Sequence, residues 1–228
     1  MTSLYIASQM GHLDIVKYLV EKGADIERKF YNRWTWTSLL FIASQEGHLN
    51  IVKYLVEKGA NIESKDNDGW TSLFLASQEG HLNIVTYLVE KGAYIESKDN
   101  DGWTSLFIAS QKGHLDIVKY LVKKGANTES KVNDGWSLLF IVSKEGHLDI
   151  VKYLVKKGVD IESKDNNRWT SLFIASQEGH LDVVKYLVEK GANIESKDND
   201  GWTSLFIASQ EGHLEIVKYL VEKGANIE

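Results

Sequence analysis

Between residues 66 and 98 the apolar positions fall into two blocks of helical character. Leu73, Phe74, Leu75 and Ala76 form a short apolar run behind Thr71, a residue suited to cap a helix N-terminus, and the run stops at Gly80. In the next stretch Leu82, Ile84, Val85, Leu88 and Val89 recur at helical spacing, while Asn83, Thr86 and Glu90 make the opposite polar stripe. Gly92 is placed to take the left-handed conformation that closes such a helix. The pattern predicts two short helices back to back. Asp-Asn-Asp-Gly, a tight-turn sequence of the hairpin kind, links one pair to the next.

The same pattern fills the chain. Histidine falls at positions 12, 48, 81, 114, 147, 180 and 213, a step of 36 followed by five of 33, and each is preceded by Gly and followed by Leu. Fourteen of the 18 glycines lie before a His or eleven residues after it, and the other four are Gly69, Gly102, Gly135 and Gly201. No His or Gly is left over for a feature that occurs once. The chain therefore reads as a single array of units at 1–29, 30–65, 66–98, 99–131, 132–164, 165–197 and 198–228. The first unit lacks the hairpin, the second carries three extra residues within 32–41, and the last stops just after its second helix. The insertion is expected to lengthen the first finger or its junction with the following helix.

A 33-residue unit of turn plus two helices, reading Gly-Trp-Thr-Ser-Leu-Phe-Ile-Ala-Ser, then Gly-His-Leu, then Val-Lys-Tyr-Leu-Val and Gly-Ala, resembles the ankyrin repeat, whose signature is T-P-L-H-x-A. The tetratricopeptide repeat has a similar period but lacks the paired glycines and the hairpin. Two departures stand out. Ser replaces the family's Pro at Ser72, Ser105, Ser171 and Ser204, which removes a residue preset for the first helical turn, and Phe replaces its His. The resemblance implies an all-α ankyrin-repeat solenoid of stacked antiparallel helix pairs with β-hairpin fingers. It implies further a concave surface of finger tips and first helices that binds a protein partner.

Composition narrows the chemistry. With 43% hydrophobic and 25% charged residues the 228-residue chain reads as folded rather than disordered. It has no cysteine, which excludes disulfides, thiolate metal sites and cysteine nucleophiles. A net charge of −6 argues against nucleic acid as a partner. No apolar run reaches the length of a membrane span, and the first 23 residues do not read as a secretion signal, so no membrane insertion and a cytoplasmic address are expected.

Motif by motif, catalysis and cofactors find no support in the sequence. In the register of a calcium loop, Ser64 would fill the first ligand position and Leu75 that of the bidentate Glu, so Asp-Asn-Asp-Gly reads as a turn. The histidines stand about one helix diameter apart, ~10 Å, too far for two to share a metal. They read as helix-start residues bonded to backbone. Acidic and hydroxyl residues recur in every unit, whereas an active site needs one convergent cluster. The expectation is a non-enzymatic scaffold with no cofactor and no metal.

The site is expected on the aromatic column of Trp36, Trp70, Trp103, Trp136, Trp169 and Trp202, with Trp34 beside the insertion. By resemblance, the turn residues Asp68, Asp101, Asp134 and Asp200 and the residues Gln78, Gln111, Gln177 and Gln210 join the same surface. Two readings of the column stand open: each Trp packs over the next finger and shields its hairpin, or the column grips a partner. From Trp70 to Trp202 it would extend for about 40 Å at one helix diameter per step. Charges on this face interleave and nearly cancel, which suits a mixed-charge protein surface better than a phosphate backbone.

Three further expectations concern stability and context. In the unit 132–164, Val132 replaces the turn Asp, Leu138 the Ser, and Val142 and Val159 the small Ala, and Thr128 just upstream replaces an Ile. Added volume in a close helix contact typically costs ~1–3 kcal/mol, so the least stable junction is expected there. Both ends carry the same Leu, Ile, Val and Phe as the middle. That favours a regulatory or targeting segment of a larger enzyme or membrane protein, or end-to-end self-association through uncapped faces.

Overall fold

The computed structural model describes residues 2–32 and 35–228. It divides into two compact units, Met1–Ala126 and Asn127–Glu228. The first unit contains helix pairs α1 (Ser3–Gln9) and α2 (Leu13–Glu21), α3 (Leu39–Gln45) and α4 (Leu49–Glu57), α5 (Ser72–Gln78) and α6 (Leu82–Glu90), and α7 (Ser105–Gln111) and α8 (Leu115–Lys123). Strands β1 (Phe30–Asn32) and β2 (Thr35–Thr37) lie between α2 and α3. The second unit contains α9 (Leu138–Lys144) and α10 (Leu148–Lys156), α11 (Ser171–Gln177) and α12 (Leu181–Glu189), and α13 (Ser204–Gln210) and α14 (Leu214–Glu222).

Local chemistry sets the helix limits. Thr71 Oγ1 accepts from Phe74 N at 3.2 Å, and Ser38, Ser137, Thr170 and Thr203 cap their helices in the same way. At the end of α5, His81 N donates to Ala76 O at 2.9 Å. At the end of α6, Gly92 N donates to Val89 O at 3.1 Å and Ala93 N to Leu88 O at 2.9 Å. These are the paired bonds of a left-handed helix cap. Helices of seven and nine residues are too short to persist alone, so packing must hold them.

Packing is nearest-neighbour within each unit. In the first, α1, α3, α5 and α7 pack in sequence and so do α2, α4, α6 and α8; in the second, α9, α11 and α13 form one row and α10, α12 and α14 another. Leu73, Phe74, Ala76, Ile84, Val85 and Leu88 are buried, and the same positions are buried in α7 to α12. Each large apolar side chain so buried contributes about 1.5–3 kcal/mol. The end faces differ. Ile6, Ile15 and Phe206 are 42%, 49% and 47% exposed, whereas their equivalents Ile42, Ile51 and Phe173 are buried.

The fingers are tighter than a hairpin ladder. Asp66 N donates to Trp70 O and Gly69 N to Asp66 O, both at 3.2 Å, while the Asp66 carboxylate accepts from Asp68 N at 3.0 Å and Trp70 N at 2.9 Å. A side chain thus staples the turn, and most fingers need no strand. The first finger is the exception. Phe30 stands where Asp66 stands later, its ring 5.2 Å from that of Tyr5, and β1 pairs antiparallel with β2 with Phe30 opposite Thr37. The three extra residues are absorbed by this longer finger. At 132–136, Val132 keeps the backbone bonds of the turn without the staple, and an isolated bridge joins Lys131 to Ser137.

Candidate functional site

Each histidine opens a second helix, as at His81 before α6, but its ring makes no cap bond to that helix. At His48, His81, His114, His180 and His213 the ring reaches the preceding repeat instead. His81 Nε2 donates to Gln45 O at 2.9 Å, His114 to Gln78 O at 2.9 Å, His180 to Lys144 O at 2.8 Å and His213 to Gln177 O at 2.8 Å. Among the described residues, no three His, Asp or Glu side chains cluster in a way that could hold a metal ion. No helix of the described residues is long and apolar enough to cross a membrane.

The tryptophans are held from two sides. The staple fixes the backbone, with Trp103 N bonded to the Asp99 carboxylate at 2.8 Å and Trp169 N to that of Asp165 at 2.8 Å. The ring then packs on the Phe four residues later, on its own repeat's first helix. Trp70 stacks on Phe74 at 5.4 Å, Trp136 on Phe140 at 5.5 Å and Trp169 on Phe173 at 5.2 Å, Trp202 meets Phe206 tilted at 4.8 Å, and Trp103 meets Phe107 edge-on at 6.2 Å. The platform found for each ring thus lies within its own repeat. A polar link forward does occur at Trp169, whose Nε1 donates to Asp198 Oδ2 at 3.2 Å. Phe in place of the family's His supplies the platform.

The rings keep one side toward solvent. Trp70, Trp103, Trp136 and Trp169 are half-buried and Trp202 is exposed. The first unit contains Trp70, Trp103, Asp68, Asp101, Gln78 and Gln111, and the second contains Trp136, Trp169, Trp202, Asp134, Asp200, Gln177 and Gln210. The four aspartates are exposed at the finger tips. Gln78 Nε2 donates to Glu79 Oε1 at 3.1 Å, Gln111 and Gln177 are half-buried, and Gln210 is exposed. Trp34 lies outside the described residues, and Trp36 is described only through its backbone in β2.

Neighbouring fingers are tied through asparagine. Asn100 N donates to Asp68 O at 3.0 Å and its Nδ2 to Asn67 O at 2.9 Å; Asn166 repeats the pattern on Asp134 O and Asn133 O, each at 3.4 Å. Lys65 and Lys131, which precede the turns, donate Nζ to the backbone of the following repeat, to Lys98 O at 2.7 Å and Lys164 O at 2.6 Å. These two cations serve the stacking of repeats. Lys144 behaves differently, with its Nζ 4.8 Å above the Trp136 ring.

Short helix pairs packed in rows within each unit, with an aromatic turn before most pairs, define a helical repeat protein. A family model described as Ankyrin repeats (3 copies) matches residues 29–99, 95–165 and 139–228, and another described as Ankyrin repeats (many copies) matches residues 4–52. The crystal structure of the human ASB11 ankyrin repeat domain matches with a TM-score of 0.89 at 24% identity, covering 100% of both chains. No curated protein matches the sequence. The chain belongs to the ankyrin-repeat family, and its fold class is the all-α ankyrin-repeat solenoid. Repeats of this family are generally protein–protein interaction modules.

Proposed function

We propose that the chain is a non-enzymatic scaffold that binds a protein partner along the finger and first-helix face of its units. The observation that carries this reading is the set of partly exposed Trp rings, each resting on a Phe platform and all but Trp136 also fixed at the backbone by a carboxylate staple. A rigid aromatic offers contact area at little cost in conformational freedom, and such residues dominate binding hot spots. The test compares extracts captured by the intact chain with those captured by a variant in which Trp70, Trp103, Trp136 and Trp202 are changed to Gln. Circular dichroism first establishes that the variant is helical. A partner retained by the first and lost from the second is expected, and equal recovery by a folded variant refutes the reading.

A second reading, association of chains through their end faces, is supported by the exposure of Ile6, Ile15 and Phe206. Equilibrium sedimentation of the 228-residue chain is then expected to show a mass that rises with concentration and falls back for Phe206→Lys. A constant monomer mass rejects it.

A further inference from the structure

Arg168 is the one non-glycine residue with positive φ among the described residues, at +65°. Its counterparts are Gly69, Gly102, Gly135 and Gly201, for which such a backbone is free of strain. The surrounding turn holds the strained residue in place. Arg168 N donates to Asp165 O at 3.0 Å, and the Asp165 carboxylate accepts from Asn167 N at 2.9 Å and Trp169 N at 2.8 Å. Nothing in the packing asks for the side chain, which is exposed and has no ion pair among the described residues. Strain kept for a side chain without a structural task points to a task outside the fold.

The neighbourhood carries two more departures of the same sign. Asn167 stands where Asp68, Asp101, Asp134 and Asp200 stand in other fingers, and Lys144 stands where Gln78, Gln111, Gln177 and Gln210 stand. The fingers at 132–136 and 165–169 are joined by the Asn166 bonds, so the three changes fall on adjoining repeats of the second unit. Each makes the local charge more positive by one. The anions of the same face are Asp134, Glu145, Glu178, Asp200 and Glu211 at the surface, with Asp165, whose carboxylate is taken up by Asn167 N and Trp169 N, and Asp198, whose carboxylate is taken up by Asp200 N, Trp202 N and Trp169 Nε1.

We propose that this two-finger stretch of the second unit docks an extended acidic peptide segment of a partner protein, with carboxylates on Arg168 and Lys144 and apolar neighbours on Trp136 and Trp169. The inference rests on the scaffold reading above and narrows it to a place and a chemistry. The guanidinium can take a carboxylate through two parallel N–H donors, and Lys144 already holds its ammonium over the ring that a peptide would touch. From Trp136 to Trp202 the face covers about 20 Å at one helix diameter per step. That is roughly six residues of extended chain.

The test uses the full chain with its indole nitrogens labelled and a synthetic peptide of about six residues, a length set by extended geometry, alternating Glu and Leu. Saturable movement of the Trp136 and Trp169 indole resonances is expected, with those of Trp70 and Trp103 unmoved. The double variant Arg168→Gly with Lys144→Gln restores residues that the array already uses, so it keeps the fold. It is expected to bind at least tenfold more weakly, and so is a control peptide with Gln in place of Glu. Equal binding by the double variant or by the Gln peptide overturns the acidic specificity while leaving the scaffold reading in place. The absence of any saturable shift also overturns this inference; the scaffold reading falls separately, by the Trp→Gln capture experiment.

Discussion

Gly80 lies between α5 and α6 with φ +81°, and the imidazole of His114 from the next repeat rests against it. A Cβ there would stand 2.7 Å from His114 Cε1 and 3.0 Å from Nδ1. Gly80→Ala therefore has two costs. The left-handed backbone costs about 1–2 kcal/mol for an L residue. The displaced ring gives up its bond to Gln78 O, now 2.9 Å long, a loss of about 0.5–1.5 kcal/mol. The total is about 1.5–3.5 kcal/mol. Gly92 supplies the control, since its φ of +94° carries the same strain but nothing lies within 4 Å of its added Cβ. Gly92→Ala should cost about 1–2 kcal/mol. Urea unfolding followed by circular dichroism measures both, provided the slope is unchanged. In a His114→Ala background the Gly80→Ala cost should shrink to that of Gly92→Ala, which gives a direct coupling energy. Equal costs for the two glycines in the native background, or no coupling to His114, would refute the reasoning.

Four other outcomes are expected. Ser72 opens α5 directly after its cap and has a buried, unpartnered hydroxyl, so Ser72→Pro should raise stability by about 0.4–1 kcal/mol in the same urea assay. Asp99→Ala removes the acceptor of Asp101 N and Trp103 N, and should cost about 1.5–3 kcal/mol and shift Trp103 fluorescence to the red. Val142 is fully buried on α9 where other repeats have Ala, so Val142→Ala should slow amide exchange in α9 and α10; faster exchange would show that the larger side chain is well accommodated. Burial pushes the Tyr87, Tyr153 and Tyr219 phenols up, with Glu57 adding to the effect at Tyr87 and Glu189 at Tyr219. Their stabilising share is present below the ordinary phenol range and is lost as pH rises through the raised values. Spectrophotometric titration should show a late class of phenols that shrinks in Tyr87→Phe, and a single class would contradict this.

Local structure was legible because its determinants lie within a few residues of one another. Thr71, Gly80 and Gly92 mark helix limits by their own backbone needs, and the structure bonds them as the spacing predicts. Partners across repeats were harder to see. When each unit copies the last, a residue has an equivalent candidate partner 33 positions away in either direction, and spacing does not choose between its own unit and its neighbour. His81 could be placed on a helix start, but not on the Gln45 carbonyl of the repeat before. Trp70 could be placed beside the turn, but its stacking on Phe74 competed with the neighbouring finger as a platform. The Asp66 staple was hidden for a different reason. Asp-Asn-Asp-Gly suits both a hairpin and a side-chain-closed turn, and only coordinates tell which donors the carboxylate meets.

Among the described residues, and apart from the Trp169 Nε1 bond to Asp198 Oδ2, the bonds seen between repeats share one property: the partner on one side is main chain. His114 meets the Gln78 carbonyl, Lys65 the Lys98 carbonyl, Asn100 the Asn67 carbonyl and Tyr120 the Thr86 carbonyl, while Glu63 receives the Tyr94 amide. A carbonyl or amide is offered by any residue placed there, so the lock does not read its neighbour's identity. Copying, deleting or swapping a whole unit leaves these bonds with something to hold, and no matching change in the adjacent unit is needed. Substitutions such as Arg168 and Lys144 can then accumulate on individual repeats without loosening the next, which leaves the surface of each repeat free to vary apart from the chemistry of assembly.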